Sequence, residues 1–359
     1  MPENIIGDRV SAALEDHQKH IIMAHRFLIK DIALQAGLGP ATVDRVLNRR
    51  GNVRQQTIDR VQQAIVALEE QRQQLAMTGR KILVDLVVEA PQTFIEALET
   101  ACRSELPLMR PAVIRFRSDL RMRFPVADLE KRLEQVLRRG SDGVILMSPA
   151  ADRIKTMVDR LEAAKIPVVT LATDLEDTNR TAYVGLNNRR AGGTAAWVAN
   201  KWLASVAEPT VLMTLRNERF KGEEDRAEGF RQAFTGRRPD AEVLELVEGR
   251  DRPRFLEQIS SIATMQRIDA LYSIGGSNRA ILDALAQQGI RPQIVIAHDL
   301  EPDNQALLGT GEIDFLLYHD FQDDIRNACR VILSKHFGTK PPTSSKNNSL
   351  RILVPPALD

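Results

Sequence analysis

Apolar positions along this chain follow two rhythms. Between residues 26 and 70 they recur at helical spacing. Ile32, Ala33 and Ala36 share one helix face, Val43, Val46 and Leu47 share a second, and Ile58, Val61, Ile65 and Leu68 stripe a third. Gly37 stands where the first helix must stop and the chain must take positive φ, which glycine does without a Cβ penalty. Leu38 then folds back to seal the angle. Gly39-Pro40 restarts the chain, because Gly is a tolerable N-cap and Pro at the first helical position gives up an N–H that had no partner. Two short helices joined this way, with a third from about 54 to 70, make a helix-turn-helix, whose second helix enters the DNA major groove.

From residue 81 the rhythm changes to short apolar runs alternating with amphipathic stripes. Strands are predicted at 82–88, 112–116, 143–147, 168–171, 183–185, 210–215, 243–247, 270–274, 294–297 and 315–318, with a last one at 350–354 after a polar surface loop from 341 to 349. Helical stripes such as Leu129, Leu133, Val136 and Leu137 lie between most of them. Buried parallel strands need crossover helices, so a doubly wound α/β body is expected, and its length requires two lobes rather than one sheet.

A chain of 359 residues has room for two or three domains, and a net charge of +1 gives no global field toward nucleic acid. The charge is uneven, however. From Arg26 to Lys81 there are ten Lys or Arg against five Asp or Glu, a locally basic segment on a neutral chain, as a DNA-binding head on a soluble body would have. Cys102 and Cys329 give no disulfide framework, fall in helical stripes and suit buried thiols in a reducing cytoplasm. No stretch reaches membrane-span length, and no secretory h-region opens the chain. Residues 1–25 read as a flexible N-terminal extension with a loose helix from 11 to 22, and Met23 is an alternative start. Trp197 and Trp202 fit a core or a subunit contact.

The catalytic vocabulary is thin. There is no Gly-x-Ser-x-Gly elbow, phosphate loop or His-Glu-x-x-His. The pairs His298-Asp299 and His319-Asp320 suggest a metal, but no third spaced His or Cys completes a set. No cofactor, metal or enzyme activity is expected. An α/β enzyme and a solute-binding protein remain as alternatives.

The run "IKDIALQAGLGPATVDRVLN" resembles the DNA-binding headpiece of the lactose-repressor family. "DGVILMSPA", "IPVVTL", "YVGLNNRRAGGTAAWVANKWL", "DRAEGFRQAF" and "ALYSIGGSNRAILDALAQQG" resemble that family's periplasmic-binding-protein-like effector domain. The resemblance implies a head at 26–70, a hinge at 71–80 and an effector-binding and dimerisation body at 81–359. Its lobes would be about 81–205 with 313–337, and about 206–312 with 338–359. The chain would then cross between them near 203–209, near Glu312 and after Phe337. It implies a transcriptional repressor, homodimeric on a pseudopalindromic double-stranded operator, released by a sugar-like effector.

On the head, the resemblance places Pro40, Ala41 and Arg45 against base edges, and Arg45 can reach guanine O6 and N7 with two donors. Thr42 and Asn48 would contact phosphates, with Lys30 and Arg54 supplying charge. Asp44 stands where relatives usually carry Ser. It can accept from a cytosine N4, orient Arg45 or repel phosphate. Gly39 and Arg54 each replace a Ser cap. Gln73-Gln74-Leu75-Ala76 resembles the core of a hinge helix that orders on DNA and wedges a Leu into the minor groove, here Leu75. The Tyr-x-Pro-Asn usually found before the hinge is missing, so the stretch also reads as a plain continuation of the third helix.

In the body, effector contacts are expected at strand carboxyl ends. Phe94 would stack on an apolar sugar face. Asn187 and Asn188 stand where relatives carry Asp-Asn, and Arg226 matches an Arg that grips hydroxyls or a carboxylate, unless it pairs with Glu223 or Glu224 on its own helix. Asn278 and Arg279 follow a Gly-Gly turn. Asp299 falls where relatives place an effector-binding Asp, and His319 where they often have Gln.

Overall fold

The computed structural model describes residues 27–51, 53–216, 220–339 and 350–355. The expectations for 1–25, including the 11–22 helix and Met23, and for the 341–349 loop, lie outside the described residues. The chain divides into two compact units at residue 80, with 337–339 joining the first.

The first unit is three helices, α1 (Ile29–Ala36), α2 (Pro40–Leu47) and α3 (Gln55–Met77). Ile32, Ala33, Ala36, Val43, Val61, Ala64 and Ile65 bury together as its core, with Leu38 packed at the edge. Gly37 takes φ 61°, and its N–H and that of Leu38 close the end of α1. Arg60 of α3 donates to the free carbonyl of Ala36 at 2.8 Å, tying the turn to the third helix.

A separate 71–80 hinge helix is not what forms. α3 runs unbroken for 23 residues to Met77. Gln71 to Met77 contains only good helix formers, and the Pro that would interrupt it is absent. Glu69 further pins this turn, accepting from Arg72 and from Gln73 at 3.2 Å. The helix ends just before Gly79, at φ 74°.

The second unit carries eleven described strands on two sheets. The first sheet is all parallel in the order β2-β1-β3-β4-β5: β1 (Lys81–Glu89), β2 (Val113–Arg121), β3 (Gly143–Met147), β4 (Val168–Leu171) and β5 (Ala182–Val184). Between them run α4 (Gln92–Glu105), α5 (Val126–Arg139) and α6 (Asp152–Ala163). β2 extends five residues past its predicted end because it is an edge strand, paired on one side only, where polar residues are tolerated.

The second sheet has the order β11-β10-β9-β8-β6-β7. It comprises β6 (Thr210–Leu215), β7 (Glu242–Val247), β8 (Ala270–Ser273), β9 (Ile294–His298), β10 (Phe315–Tyr318) and the antiparallel β11 (Arg351–Leu353). Its helices are α7 (Asn188–Trp202), α8 (Lys221–Thr235), α9 (Arg252–Met265), α10 (Asn278–Gln287) and α11 (Pro302–Gly309). The last helix, α12 (Phe321–Phe337), returns to the first lobe.

Two expected crossings move. The first is at residues 185–187, not 203–209, because the small face of α7 (Ala195, Ala196, Ala199) packs into the second lobe's core with Val211, Met213 and Tyr272. The second is at residues 319–320, not Glu312. β10 pairs with β9, and only α12 belongs to the first lobe, where Ile332 packs on Gly143 and Arg326 donates twice to Glu105. α7 and α8 touch backbone to backbone: a Cβ on Gly192 would stand 1.9 Å from the Arg226 carbonyl, and one on Gly229 would stand 1.9 Å from that of Arg189.

Candidate functional sites: an outward helix face and an interlobe cavity

On α2, Val43 is fully buried, and Ala41, Arg45 and Asn48 point outward on the opposite face. Pro40 opens the helix at its exposed end, and Thr42 is half-buried. Arg45 makes one weak contact, donating to the Ala41 carbonyl at 3.3 Å, which leaves its outer guanidinium edge available. Asp44 does not orient Arg45. It accepts from Asn48 at 2.8 Å and stands 3.9 Å from Arg50. Lys30 is exposed on α1, and Arg54 is the exposed N-cap of α3. Leu75 is 75% exposed near the end of α3.

Between the two lobes lies a cavity of about 300 Å³. Glu89, Met122, Met147 and Thr173 reach it from the carboxyl ends of first-lobe strands, and Arg216, Gly275 and Asp299 from those of the second. This is the edge at which open parallel sheets bind small molecules. The volume is at the small end of the roughly 300–1,000 Å³ of ordinary ligand pockets.

Arg226 is the centre of the cavity's polar wall. It is buried, its Nε donates to Asn188 Oδ1 at 2.8 Å, and one terminal nitrogen donates to the Ile274 carbonyl at 3.3 Å and lies 3.8 Å from Asp299. It pairs with neither Glu223 nor Glu224. Asp299 sits at φ 71°, an unusual backbone state for a non-glycine. Asn304 holds it there by donating to the carbonyls of His298 and Asp299 at 3.0 and 2.9 Å.

His319 closes the cavity at the crossing between lobes. Its Nδ1 is hydrogen-bonded to Asp324, and its ring stands edge-on to Phe321, which in turn meets Phe94 at 4.5 Å. Burial disfavours the imidazolium, but Asp324 outweighs it and raises the pKa above the usual value. His298 is the opposite case. Burial, with Arg226 and His319 nearby, pushes it well below the usual value, and its Nε2 meets the Tyr272 hydroxyl at 2.9 Å. Among the described residues no group of three or more His, Cys, Asp or Glu could hold a metal ion.

Phe94, Arg226, Asp299 and His319 therefore line one cavity. Asn188 lies behind it as the buried support of Arg226. Three candidates stand elsewhere. Asn187 caps α7, accepting from the Arg190 N–H. Asn278 is buried and donates to Asn304 at 2.7 Å, and Arg279 forms an exposed ion pair with Glu312 at 3.1 Å. Helix α10 begins at Asn278, and its first turn packs toward α11 rather than into the cleft. The sequence reading missed Glu89, Thr173, Arg216 and Glu301, which sit in or just after strand ends and carry no pattern of their own.

Hydrogen bonds join the lobes across this site, among them those from Asn188 of α7 to the Ala172 carbonyl at 3.4 Å and to the Tyr183 hydroxyl at 3.2 Å. Thr93 of α4 donates to Glu301 at 2.8 Å, and the Gly222 N–H donates to Thr173 at 3.2 Å.

The profile for the periplasmic binding protein domain matches residues 125–338, and that for bacterial regulatory proteins of the lacI family matches residues 28–69. The chain belongs to the periplasmic-binding-protein domain family and, with its lacI-family head, is a DNA-binding transcriptional regulator. No curated protein sequence matches it. Among solved structures it resembles GanP, a glucose-galactose binding protein from Geobacillus stearothermophilus, at 16% identity over 77% of this chain and 98% of that one, with a TM-score of 0.67. A protein described as a LacI transcriptional regulator from Bacteroides fragilis matches at 18% identity, 77% and 97% coverage, and a TM-score of 0.66. A solute binding protein of an ABC transporter from Bacillus halodurans, solved with myo-inositol, matches at 16% identity, 79% and 96% coverage, and a TM-score of 0.66. Identities this low show the shared two-lobed fold alone.

Proposed function

We propose that this protein is a cytoplasmic repressor that binds a pseudopalindromic operator as a homodimer and is released by a small polyhydroxylated effector held between its lobes. The observation that carries this reading is one chain with an outward polar stripe on a helix-turn-helix and a buried, mixed donor–acceptor cavity at strand carboxyl ends. Ala41, Arg45 and Asn48 would meet the duplex, with Thr42, Lys30 and Arg54 on phosphates. Two-fold symmetry of protein and operator then follows from the two half-sites.

Phe94, Arg226, Asp299 and His319 would hold the effector, and Asn188 would position Arg226. The solved relatives that carry glucose-galactose binding or myo-inositol in their descriptions favour a sugar or polyol over other small molecules. Among the described residues no helix is long and apolar enough to cross a membrane. An effector changes DNA affinity only if it binds one lobe arrangement more tightly than the other. Selection of bound duplexes from a random pool, repeated with sugars, polyols and sugar phosphates, tests the whole reading. A recovered palindromic sequence whose binding one compound weakens is expected. No preference over bulk DNA under any condition would overturn it.

A further inference from the structure

We propose that Phe321 is a positioning residue that sets the cavity's preference for a ring-shaped sugar over an open-chain polyol, by holding the rings of Phe94 and His319 from behind. This rests on the reading of the interlobe cavity as the effector site. What carries it is a cluster of three rings of which two reach the cavity.

Phe94 and His319 line the cavity, and Phe321 stands outside its lining. Phe321 meets Phe94 with ring centroids 4.5 Å apart at 71°, and His319 at 4.7 Å and 72°. Phe94 and His319 are 6.3 Å apart and tilted by 45°. The two close, edge-to-face contacts of the cluster therefore both run through Phe321. Contacts of this kind favour one mutual angle between the rings, beyond what burial alone would do.

Phe321 is itself held by the way α12 begins. Asp320 accepts from the Gln322 N–H with its side chain at 2.8 Å and from the Asp324 N–H with its carbonyl at 3.0 Å, as a helix N-cap does. His319 precedes this cap, and Asp324 is the fourth residue of the helix. Those are the two positions that a hydrophobic staple joins, and here the joint is the His319–Asp324 hydrogen bond. Arg351 of β11 reaches Asp320 at 3.0 Å and Asp323 at 2.9 Å. Phe321 is the first residue of a helical turn fixed on these sides.

The consequence is chemical. A sugar ring carries a face of C–H groups, with its hydroxyls around the edge. A flat aromatic ring of fixed tilt packs on that face and leaves the hydroxyls to Arg226 and Asp299. The matching alditol has the same carbon chain but no fixed face, and it must give up rotational freedom to make one. Leucine at 321 would fill similar space without an aromatic edge or face, so Phe94 would lose its fixed tilt.

Calorimetric titration of the full chain provides the test, with each aldose set against its own alditol: glucose and sorbitol, galactose and galactitol, arabinose and arabinitol. At least one aldose is expected to bind about tenfold more tightly than its alditol. Phe321→Leu is expected to weaken that aldose about tenfold and its alditol less than about twofold. Phe321→Tyr, which keeps the ring, is expected to restore the native ratio. In a double-mutant cycle with Phe94→Leu the two losses are expected not to add, because either change removes the platform. Phe321→Met takes the same expected values if Phe321→Leu does not fold. Equal weakening of aldose and alditol would give Phe321 a purely structural role and overturn the proposal. Alditols binding as tightly as aldoses, or a preference that survives Phe321→Leu, would overturn it as well. If aldoses bind, Arg226→Met abolishes that binding and Phe321→Leu leaves the ratio intact, the proposal falls and the effector-cleft reading stands. If no probe binds, both fall.

Discussion

The face proposed to read DNA and the cavity proposed to hold an effector follow opposite plans. On α2, Arg45 and Asn48 are exposed and touch only their own helix. In the cavity, Arg226 and His319 are buried and each is fixed by residues from another element. A duplex brings its own shape and charge, so side chains that order on contact suffice. A small ligand offers few contacts, so the groups that meet it must be held in place beforehand. The cavity is therefore the fragile region, and substitutions that loosen its support should have larger effects than any on the helix face.

The largest effect is expected at the crossing of α7 and α8, which carries Asn188 and Arg226. Gly229→Ala puts a methyl against a main-chain carbonyl that no rotamer change can move aside. The body should lose about 3 kcal/mol of stability in a denaturant melt. A loss below about 0.5 kcal/mol would mean that the helices can separate and that the cavity is less rigid than drawn here.

Next comes Arg226→Met, which keeps bulk but leaves Asn188 Oδ1 and the Ile274 carbonyl without their donor. Effector affinity should fall about 100-fold, while operator binding without effector stays near its original strength. Operator binding lost together with effector binding would remove the separation of roles on which the comparison rests. The change in effector affinity is read by titration, and that in operator affinity by a gel-shift or anisotropy assay.

On the outward face, Arg45→Ala should relax base preference at one position by about 1–3 kcal/mol. Lys30→Ala should weaken all duplexes alike and lower the salt slope by about one. Binding-site selection at two salt concentrations separates the two. A uniform effect from Arg45→Ala would make it a phosphate contact instead.

The same contrast decides how far the sequence could be read. The head's outward face follows from helical period alone, since whatever opposes Val43 must face away from the core. The inner strands of the body were visible as apolar runs, because parallel strands within a sheet are buried on both faces, whereas the polar second half of the edge strand β2 was not. Two of the three crossings were not; for the first, α7 has a small-residue face that packs as well on one sheet as on another, and only the tertiary fold chooses. Arg226, Asp299 and His319 came from the resemblance rather than from any pattern. Glu301 and Thr93 come from different lobes, 208 residues apart in sequence, and nothing local marks them as partners. The unbroken α3 was legible in the missing Pro, which the family hinge would have required.

The two buried histidines sharpen the comparison through pH. His319 has a raised folded pKa, so its contribution is complete below the unfolded value of about 6.5 and is lost as pH rises through the folded value. His298 has a lowered folded pKa, so its contribution is present above about 6.5 and is lost as pH falls. The body's melting temperature should therefore decline on both sides of neutrality. His319→Gln should flatten the alkaline limb alone, and a limb unchanged in that variant would assign the decline to other groups.

The smallest stability effect is expected at Leu75, and there it is most instructive. The side chain is exposed near the end of α3, so Leu75→Ala should change stability by less than about 0.5 kcal/mol. If Leu75 also serves as a minor-groove wedge, the same substitution should reduce DNA bending and operator affinity, since unstacking a step is offset only by contacts the wedge makes. Bending measured by fluorescence transfer across a labelled operator, beside a denaturant melt, reads both quantities on one variant. A folded, undiminished binder with unchanged bending would show that α3 ends as a plain helix, with recognition confined to α2 and the phosphate contacts around it.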